Sequence, residues 1–205
     1  MVVKELIGSM LPSIWPLVLF VCLVAATLRI TYLVRGNHRF VFHKELIHLV
    51  FIIYILCLYY ILTNSDSSAN GINFIPFKEI FRYEFGSYKF YKNIIGNILM
   101  FVPFGYFASY YLNSRKCSTI LITTAIICTC TEGMQYYIGR VFDIDDIILN
   151  VIGAFIGFLI YVAITAITDR LPKFMKSDTF INIFVILLII LVIFFSFNIN
   201  IFSYL

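Results

Sequence analysis

Ionisable and amide side chains occur inside or beside long apolar stretches of this chain, where polar groups are costly and usually have a function. The residues of this kind are Asn93, Asn97, Glu132, Gln135, Arg140, Asp143, Asp145, Asp146 and Asn150. The spacing of four between Asn93 and Asn97 places both side chains on one face of a helix. Carboxylates, amides and a guanidinium group in one place can bind a polar ligand or transfer protons.

Glu132 has the strongest chemical implication, because it lies well inside an apolar stretch. If that stretch ends near Ile138, Glu132 lies about 9 Å along the helix from its end. A carboxylate at this depth must face the interior of a helix bundle and have a partner, or be protonated. Arg140 is the available cation and can bind a carboxylate through two hydrogen bonds. The sequence predicts a Glu132–Arg140 pair or, as the alternative, a pair of Arg140 with Asp143 or Asp146.

A purely structural role for these polar residues is the alternative to a binding site. Asp143 or Asp145 can cap the helix that follows, because a carboxylate accepts hydrogen bonds from the first N–H groups of a helix. Gly153 and Gly157 are four residues apart and would let a neighbouring helix approach closely. The acidic residues also offer oxygen ligands to calcium or magnesium, but their spacing matches no known loop, and we assign no metal and no cofactor.

The chain that positions these residues is too apolar for a water-soluble protein. Of its 205 residues, 61% are hydrophobic and 13% are charged, and the mean hydropathy is +0.96. In soluble domains, roughly 45–50% of the residues are apolar and about 25% are charged. Six stretches have the length of about 20 residues that a helix needs to cross a bilayer. They lie at about 11–34, 45–62, 94–112, 117–138, 147–168 and 179–197. The sequence therefore predicts an all-α, polytopic membrane protein, and no basic stripe indicates binding to nucleic acid.

The distribution of lysine and arginine predicts the orientation of these spans. The short connections 35–44, 113–116 and 169–178 carry most of the basic residues, which favours a cytoplasmic location for them. The loop 63–92 then lies outside, together with both termini and all of the clustered polar residues. The cytoplasmic ends show no comparable polar cluster in the sequence.

The outer loop 63–92 has its own pattern. Phe74, Phe77, Phe81 and Phe85 follow one another at spacings of three, four and four. This spacing predicts a short amphipathic helix over 72–85 with the aromatic rings on one face. Such a helix would either lie in the headgroup region of the membrane or pack as a lid on the bundle.

The polar residues also form a recognisable pattern. The longest block reads Glu132-Gly-Met-Gln135-(x4)-Arg140-(x2)-Asp143-x-Asp145-Asp146-(x3)-Asn150-(x2)-Gly153-(x3)-Gly157. Two shorter blocks precede it, Asn73-(x2)-Pro76-Phe77 and Asn97-(x3)-Phe101-x-Pro103-x-Gly105. Together the three blocks resemble the motifs of the VanZ-like membrane proteins, over residues 46–168.

This resemblance implies an integral membrane protein related to proteins of teicoplanin resistance in Gram-positive bacteria. It assigns a VanZ-like core to 46–168 within a single membrane domain, 1–205, and leaves 179–197 as an additional C-terminal span. It also selects the candidate ligand-binding residues, which are Asn97, Glu132, Gln135, Arg140, Asp143, Asp146 and Asn150. The N-terminal span and the C-terminal span carry none of the motifs.

The function that these patterns favour is binding rather than catalysis. An outward polar pocket in the bacterial cell membrane would bind an amphipathic ligand, either a glycopeptide antibiotic or a cell-wall lipid intermediate, with membrane lipid as the surrounding partner. An intramembrane enzyme that acts on a lipid-linked substrate, with carboxylates as acid, base or metal ligands, is the alternative. A transporter would need polar residues along the whole length of the spans, and the inner halves have few.

Overall fold

The computed structural model describes residues 2–36, 39–64 and 71–202, and it is predominantly helical. The elements in chain order are α1 (Val2–Arg35), α2 (Phe42–Asn64), β1 (Gly71–Asn73), a 3₁₀ turn (Ile80–Arg82), α3 (Tyr88–Phe90), a π-helical turn (Tyr91–Ile95), α4 (Gly96–Leu112), α5 (Cys117–Tyr137), β2 (Val141–Asp143), α6 (Ile144–Arg170) and α7 (Asp178–Phe202). The turns before α4 join it to α3 in one continuous span. In the described part of the chain, six helices are long and apolar enough to cross a membrane. The predicted fold class is therefore confirmed.

The chain divides into two compact units. The middle unit comprises Leu58–Ile167, and the terminal unit comprises Met1–Cys57 with Thr168–Leu205. All of the candidate site residues belong to the middle unit. The assignment of residues 1–205 to one membrane domain stays a prediction.

Polar contacts join the helices of the terminal unit. Arg29 in α1 donates two hydrogen bonds to the Glu45 carboxylate in α2, at 2.8 and 3.0 Å. The backbone N–H of His43 and its ring Nδ1 both lie within 2.9 Å of Oδ1 of Asn182, which connects the start of α2 to the start of α7. The sequence did not indicate this second polar cluster, because His43 and Asn182 are 139 residues apart.

Glycines bring α4 and α6 into direct backbone contact in the middle unit. A Cβ atom added at Gly153 would lie 2.1 Å from the carbonyl oxygen of Ile98, and one added at Gly157 would lie 2.0 Å from that of Val102. Gly105 in α4 makes the reciprocal approach to the backbone of Ala154. The predicted close approach of a helix to Gly153 and Gly157 is confirmed, and it sets the distance between the polar residues that precede these glycines on each helix.

The connection from α5 to α6 turns sharply at Gly139. Its φ of +90° lies in the left-handed region, which glycine adopts without a steric penalty. The next N–H, of Arg140, donates to the carbonyl oxygen of Gln135 at 2.9 Å, which closes the end of α5. The chain then enters β2, which pairs in parallel with β1, so that Asn73 lies opposite Asp143.

The amphipathic helix predicted over 72–85 does not form. The segment begins in β1, turns at Phe77 with a positive φ of +67°, and contains only the one-turn 3₁₀ helix at Ile80–Arg82. The prediction was wrong because the N–H groups of this segment bind a carboxylate elsewhere in the chain instead of helical carbonyl groups. The rings of Phe74, Phe77, Phe81 and Phe85 nevertheless remain 50–89% exposed.

Candidate functional site

The candidate residues gather at one end of the middle unit. Here α2 and α5 end while α4 and α6 begin, and β1 and β2 pair between them. The sequence produces this arrangement because consecutive spans alternate in direction, which brings alternate helix ends to one level. Five of the eight buried polar or charged residues in the described chain lie here: Asn73, Glu132, Gln135, Asp145 and Asn150.

Asn97 and Asp146 join α4 to α6 at this end. The Asn97 side-chain amide donates to Oδ1 of Asp146 at 2.6 Å. Both side chains are only partly buried. On α6, Asp146 lies about two turns before Gly153. On α4, Asn97 directly precedes Ile98, which Gly153 contacts, so the glycine packing holds the two partners of this hydrogen bond in place.

Glu132 faces the interior of the bundle, as its depth in the span required. It is 2% exposed, and its Oε2 atom accepts a hydrogen bond from the backbone N–H of Asp143 at 3.1 Å. Asp146 is close enough to repel the Glu132 carboxylate electrostatically. The carboxylates of Glu132 in α5 and Asp146 in α6 therefore lie in the same part of the bundle, the first buried and the second partly buried.

Arg140 does not form the predicted ion pair with Glu132 or with the aspartates. Among the described residues, no carboxylate lies within 4.0 Å of its guanidinium group. Its Nη1 atom donates instead to the carbonyl oxygen of Leu62, and Nε2 of Gln135 donates to the same oxygen at 2.8 Å. Leu62 lies in the last turn of α2, where carbonyl groups lack helical partners and attract cations. Arg140 and Gln135 therefore fasten the end of α2 to the α5–β2 connection.

Asp143 caps α6, which was one of the structural alternatives. Its Oδ1 atom accepts from the backbone N–H of Asp145 and from the side-chain amide of Asn73, both at 2.9 Å. Burial raises the pKa of the Asp143 carboxyl above its ordinary value, although both hydrogen bonds act in the opposite direction. The carboxylate charge at this position therefore opposes folding, while the oxygen acceptor supports it.

We expect Asp143→Asn to keep the thermal stability of the protein, because asparagine retains the oxygen that caps α6 and removes the desolvated charge. Asp143→Ala should lower stability by about 1–2 kcal/mol, because the cap is lost. Since the pKa of Asp143 is raised in the folded state, lowering the pH should stabilise the wild type relative to Asp143→Asn. Thermal unfolding of the three proteins in detergent at neutral and acidic pH checks this, and a large loss in Asp143→Asn at neutral pH would contradict it.

Asp145 holds the outer loop rather than α6. Its carboxylate accepts from the backbone N–H groups of Phe77, Glu79 and Ile80, at 2.5, 2.7 and 3.3 Å. The side chain is 1% exposed. The sequence had offered Asp145 only as a helix cap or a metal ligand, since the partners of this carboxylate are backbone groups of a distant segment.

Asn150 is the buried polar residue without a complete set of partners. It is 3% exposed, and in the described structure its Oδ1 atom is the buried side-chain atom that has no hydrogen-bond partner. Its side chain lies against the thiol of Cys128, one turn before Glu132 on α5. Asn150 itself follows Asp146 by one turn on α6. The Cys128–Asn150 contact therefore lies one helical turn further into the bundle than Glu132 and Asp146.

The charges of this end are strongly unbalanced. Glu132, Asp143, Asp145 and Asp146 lie at this end, and Arg140 interacts electrostatically with Glu132 and Asp146. Within the described ranges, no ion pair at 4.0 Å or less includes any of these four carboxylates. The same ranges contain no group of three or more His, Cys, Asp or Glu side chains arranged to hold a metal ion.

The six long apolar helices of the described chain indicate a multi-pass membrane protein whose motif residues lie at one end of the middle unit. The VanZ/LLP1 family model matches residues 51–165. Because this match covers more than half of the chain, the protein belongs to the VanZ/LLP1 family. No curated protein and no solved structure gives a significant match.

Proposed function

We propose that this protein acts in the bacterial cell membrane by binding an amphipathic ligand at the extracytoplasmic surface. The ligand is either a glycopeptide antibiotic of the teicoplanin type or a lipid intermediate of cell-wall synthesis. Both combine polar groups with a part that resides in the membrane. Membership of the VanZ/LLP1 family supports this proposal.

The observation that carries the proposal is a buried acidic site beside an exposed aromatic surface. Glu132 and Asp146 interact electrostatically at this end of the helices, while the neighbouring loop leaves Phe81 83% and Phe85 89% exposed. Exposed phenylalanine side chains of an interfacial segment can insert into the boundary between lipid headgroups and acyl chains. A ligand that enters from the outer leaflet would therefore place its apolar part against the loop and its polar part at the carboxylates.

Arg140, Gln135 and Asp143 contribute to this site through the structure around it. Arg140 and Gln135 hold the end of α2, and Asp143 donates its backbone N–H to Glu132. Asn97 orients the Asp146 carboxylate. In the proposed complex, Glu132, Asp146 and Asn150 contact the ligand directly, and the other candidates are positioning residues.

The experiment compares Glu132→Gln with Glu84→Gln in a Gram-positive host that is sensitive to teicoplanin. Both changes remove one carboxylate charge, but Glu84 is an exposed residue of the outer loop. We expect Glu132→Gln to abolish the resistance that wild-type protein confers, whereas Glu84→Gln keeps it at an equal protein level in immunoblots. Full resistance in Glu132→Gln would exclude the proposed site.

An intramembrane enzyme acting on a lipid-linked substrate is the second candidate, and the electrostatic interaction between Glu132 and Asp146 favours it. Two interacting carboxylates can divide the roles of general acid and general base. Purified protein incubated with lipid-linked cell-wall precursors would then form a product, and Glu132→Gln would stop its formation. If the protein binds these precursors but leaves them chemically unchanged, the result would support a binding protein rather than an enzyme.

A further inference from the structure

We infer that the polar end of the middle unit binds an ammonium group, enclosed by Glu132, Asp146 and Asn150. This inference rests on the proposed function and specifies the part of the amphipathic ligand that the site recognises. A free monovalent cation has the same chemistry and is distinguished by the experiment below.

The first argument is the inventory of hydrogen-bonding groups at this end. The donor side chains already make hydrogen bonds within the protein, because Nη1 of Arg140 and Nε2 of Gln135 donate to Leu62, and Asn97 donates to Asp146. The Asp145 carboxylate is occupied by three backbone N–H groups. Glu132, Asp146 and Asn150 still have acceptor oxygens that a ligand could use.

Three oxygens make up this group of acceptors. Glu132 and Asp146 each have one carboxylate oxygen that accepts a hydrogen bond from a described residue, which leaves the other oxygen of each. The third is Oδ1 of Asn150, which is buried without a partner. An ammonium group has three N–H donors and no acceptor, so it matches three acceptors in number and in kind.

The second argument is the cost of the unpaired charge. Buried carboxylates need either a partner of opposite charge or a proton, and in the described structure neither Glu132 nor Asp146 has a cation within 4.0 Å. An ammonium group would provide that charge, whereas a phosphate or carboxylate group would be repelled. The sign of the charge therefore selects one class of headgroup.

The third argument is the gradient of burial across the site. Glu132 and Asn150 are 2% and 3% exposed, and Asp146 is only partly buried. The ammonium group would pass Asp146 as it enters the site. The neutral side chain of Asn150, one turn further along α6, would accept a hydrogen bond from it at the buried end. The apolar part of the ligand would stay at the level of the outer loop.

The test measures binding of single-chain amphiphiles to the full-length protein in lipid nanodiscs, with empty nanodiscs as the reference. The probes are dodecylammonium, its neutral N-acetyl derivative and dodecyl phosphate, which share one chain. We expect wild-type protein to bind dodecylammonium at least about tenfold more tightly than the N-acetyl derivative, which corresponds to about 1.4 kcal/mol. The phosphate should bind least.

The variants Glu132→Gln and Asp146→Asn should each remove this preference, and Glu84→Gln should keep it. Asp146→Asn preserves the oxygen that accepts from Asn97, so it supplies a folded variant if Glu132→Gln does not assemble, as judged by size-exclusion chromatography. Loss of the preference in a folded variant supports the ammonium site. A preference that survives in both variants would overturn it.

A competition experiment with ammonium chloride distinguishes a free cation from the ammonium headgroup of an amphiphile. If ammonium chloride displaces dodecylammonium from wild type but not from the variants, the site binds the free cation as well as the headgroup. Equal binding of the charged and neutral probes would refute the ammonium site while leaving the proposed function intact. By contrast, unchanged resistance in Glu132→Gln would refute the proposed function whatever the amphiphiles do.

Discussion

Replacing Gly157 with alanine is expected to disrupt the packing of α4 against α6 and to lower the stability of the protein substantially. The added Cβ would lie 2.0 Å from the carbonyl oxygen of Val102 and 2.7 Å from the backbone nitrogen of Tyr106. Backbone atoms cannot rotate away, so the helices must separate. Overpacking of this kind costs about 1–3 kcal/mol or more.

Gly133 provides the matched control for this change. It lies in α5, and a Cβ added there would meet nothing within 4 Å. Gly133→Ala should therefore be neutral or stabilise the protein by about 0.5–1 kcal/mol, because alanine favours the helix. Thermal unfolding of both variants in the same detergent compares them, and equal melting temperatures would contradict the packing described above.

The glycine contact also reaches the candidate site. Gly153 meets Ile98, which directly follows Asn97 in α4. Gly153→Ala should therefore displace Asn97 from Asp146 as well as reduce stability. In the binding assay with dodecylammonium, this variant should show a weakened preference for the charged probe if it can be purified in folded form.

The membrane spans and the glycine contact were predictable from the sequence because each depends on a local property. A helix that crosses a membrane requires a long apolar stretch, and close helix packing requires small residues at a spacing of four. The spans at 117–138 and 147–168 and the approach at Gly153 and Gly157 follow these rules. The inward direction of Glu132 was predictable for a similar reason, namely the cost of a charge in lipid.

The partners of Arg140 and Asp145 were not predictable, because they are backbone groups. A carbonyl oxygen such as that of Leu62 is present in every residue, and only the tertiary structure shows which one ends a helix near Arg140. The same applies to the N–H groups of Phe77 and Glu79. The sequence therefore identified the polar residues of this end but assigned the wrong partner to its arginine.

The error in the outer loop has a related cause. The spacing of the phenylalanines fits a helix, but a helix would engage the N–H groups that Asp145 binds, and Phe77 adopts a left-handed backbone conformation. This conformation is unfavourable for a residue with a side chain. The buried carboxylate of Asp145 compensates for it by accepting three hydrogen bonds, which a local pattern of apolar residues does not reveal.

Asp145→Ala is accordingly expected to release the outer loop. Three backbone N–H groups would lose their acceptor, at a cost of about 1–3 kcal/mol for each one that remains buried. Asp145→Asn should hold the loop better than Asp145→Ala but less well than the wild type. Its side-chain oxygen still accepts hydrogen bonds, but its NH₂ group would face a backbone N–H donor. The exposed phenylalanines at 74, 77, 81 and 85 make chymotrypsin a suitable probe, and its rate of cleavage in this loop should rise at least about tenfold, as expected for a loss of 1.4 kcal/mol or more.

Glu84→Ala is the control for this cleavage experiment, since Glu84 is exposed in the same loop and its removal leaves the Asp145 contacts in place. Cleavage of Glu84→Ala should match that of the wild type. If Asp145→Ala is cleaved no faster than Glu84→Ala, the carboxylate does not hold the loop. Because the loop carries the aromatic surface beside Glu132 and Asp146, a released loop should also weaken the binding of every amphiphile alike, whereas loss of a carboxylate from the site should weaken only the cationic one.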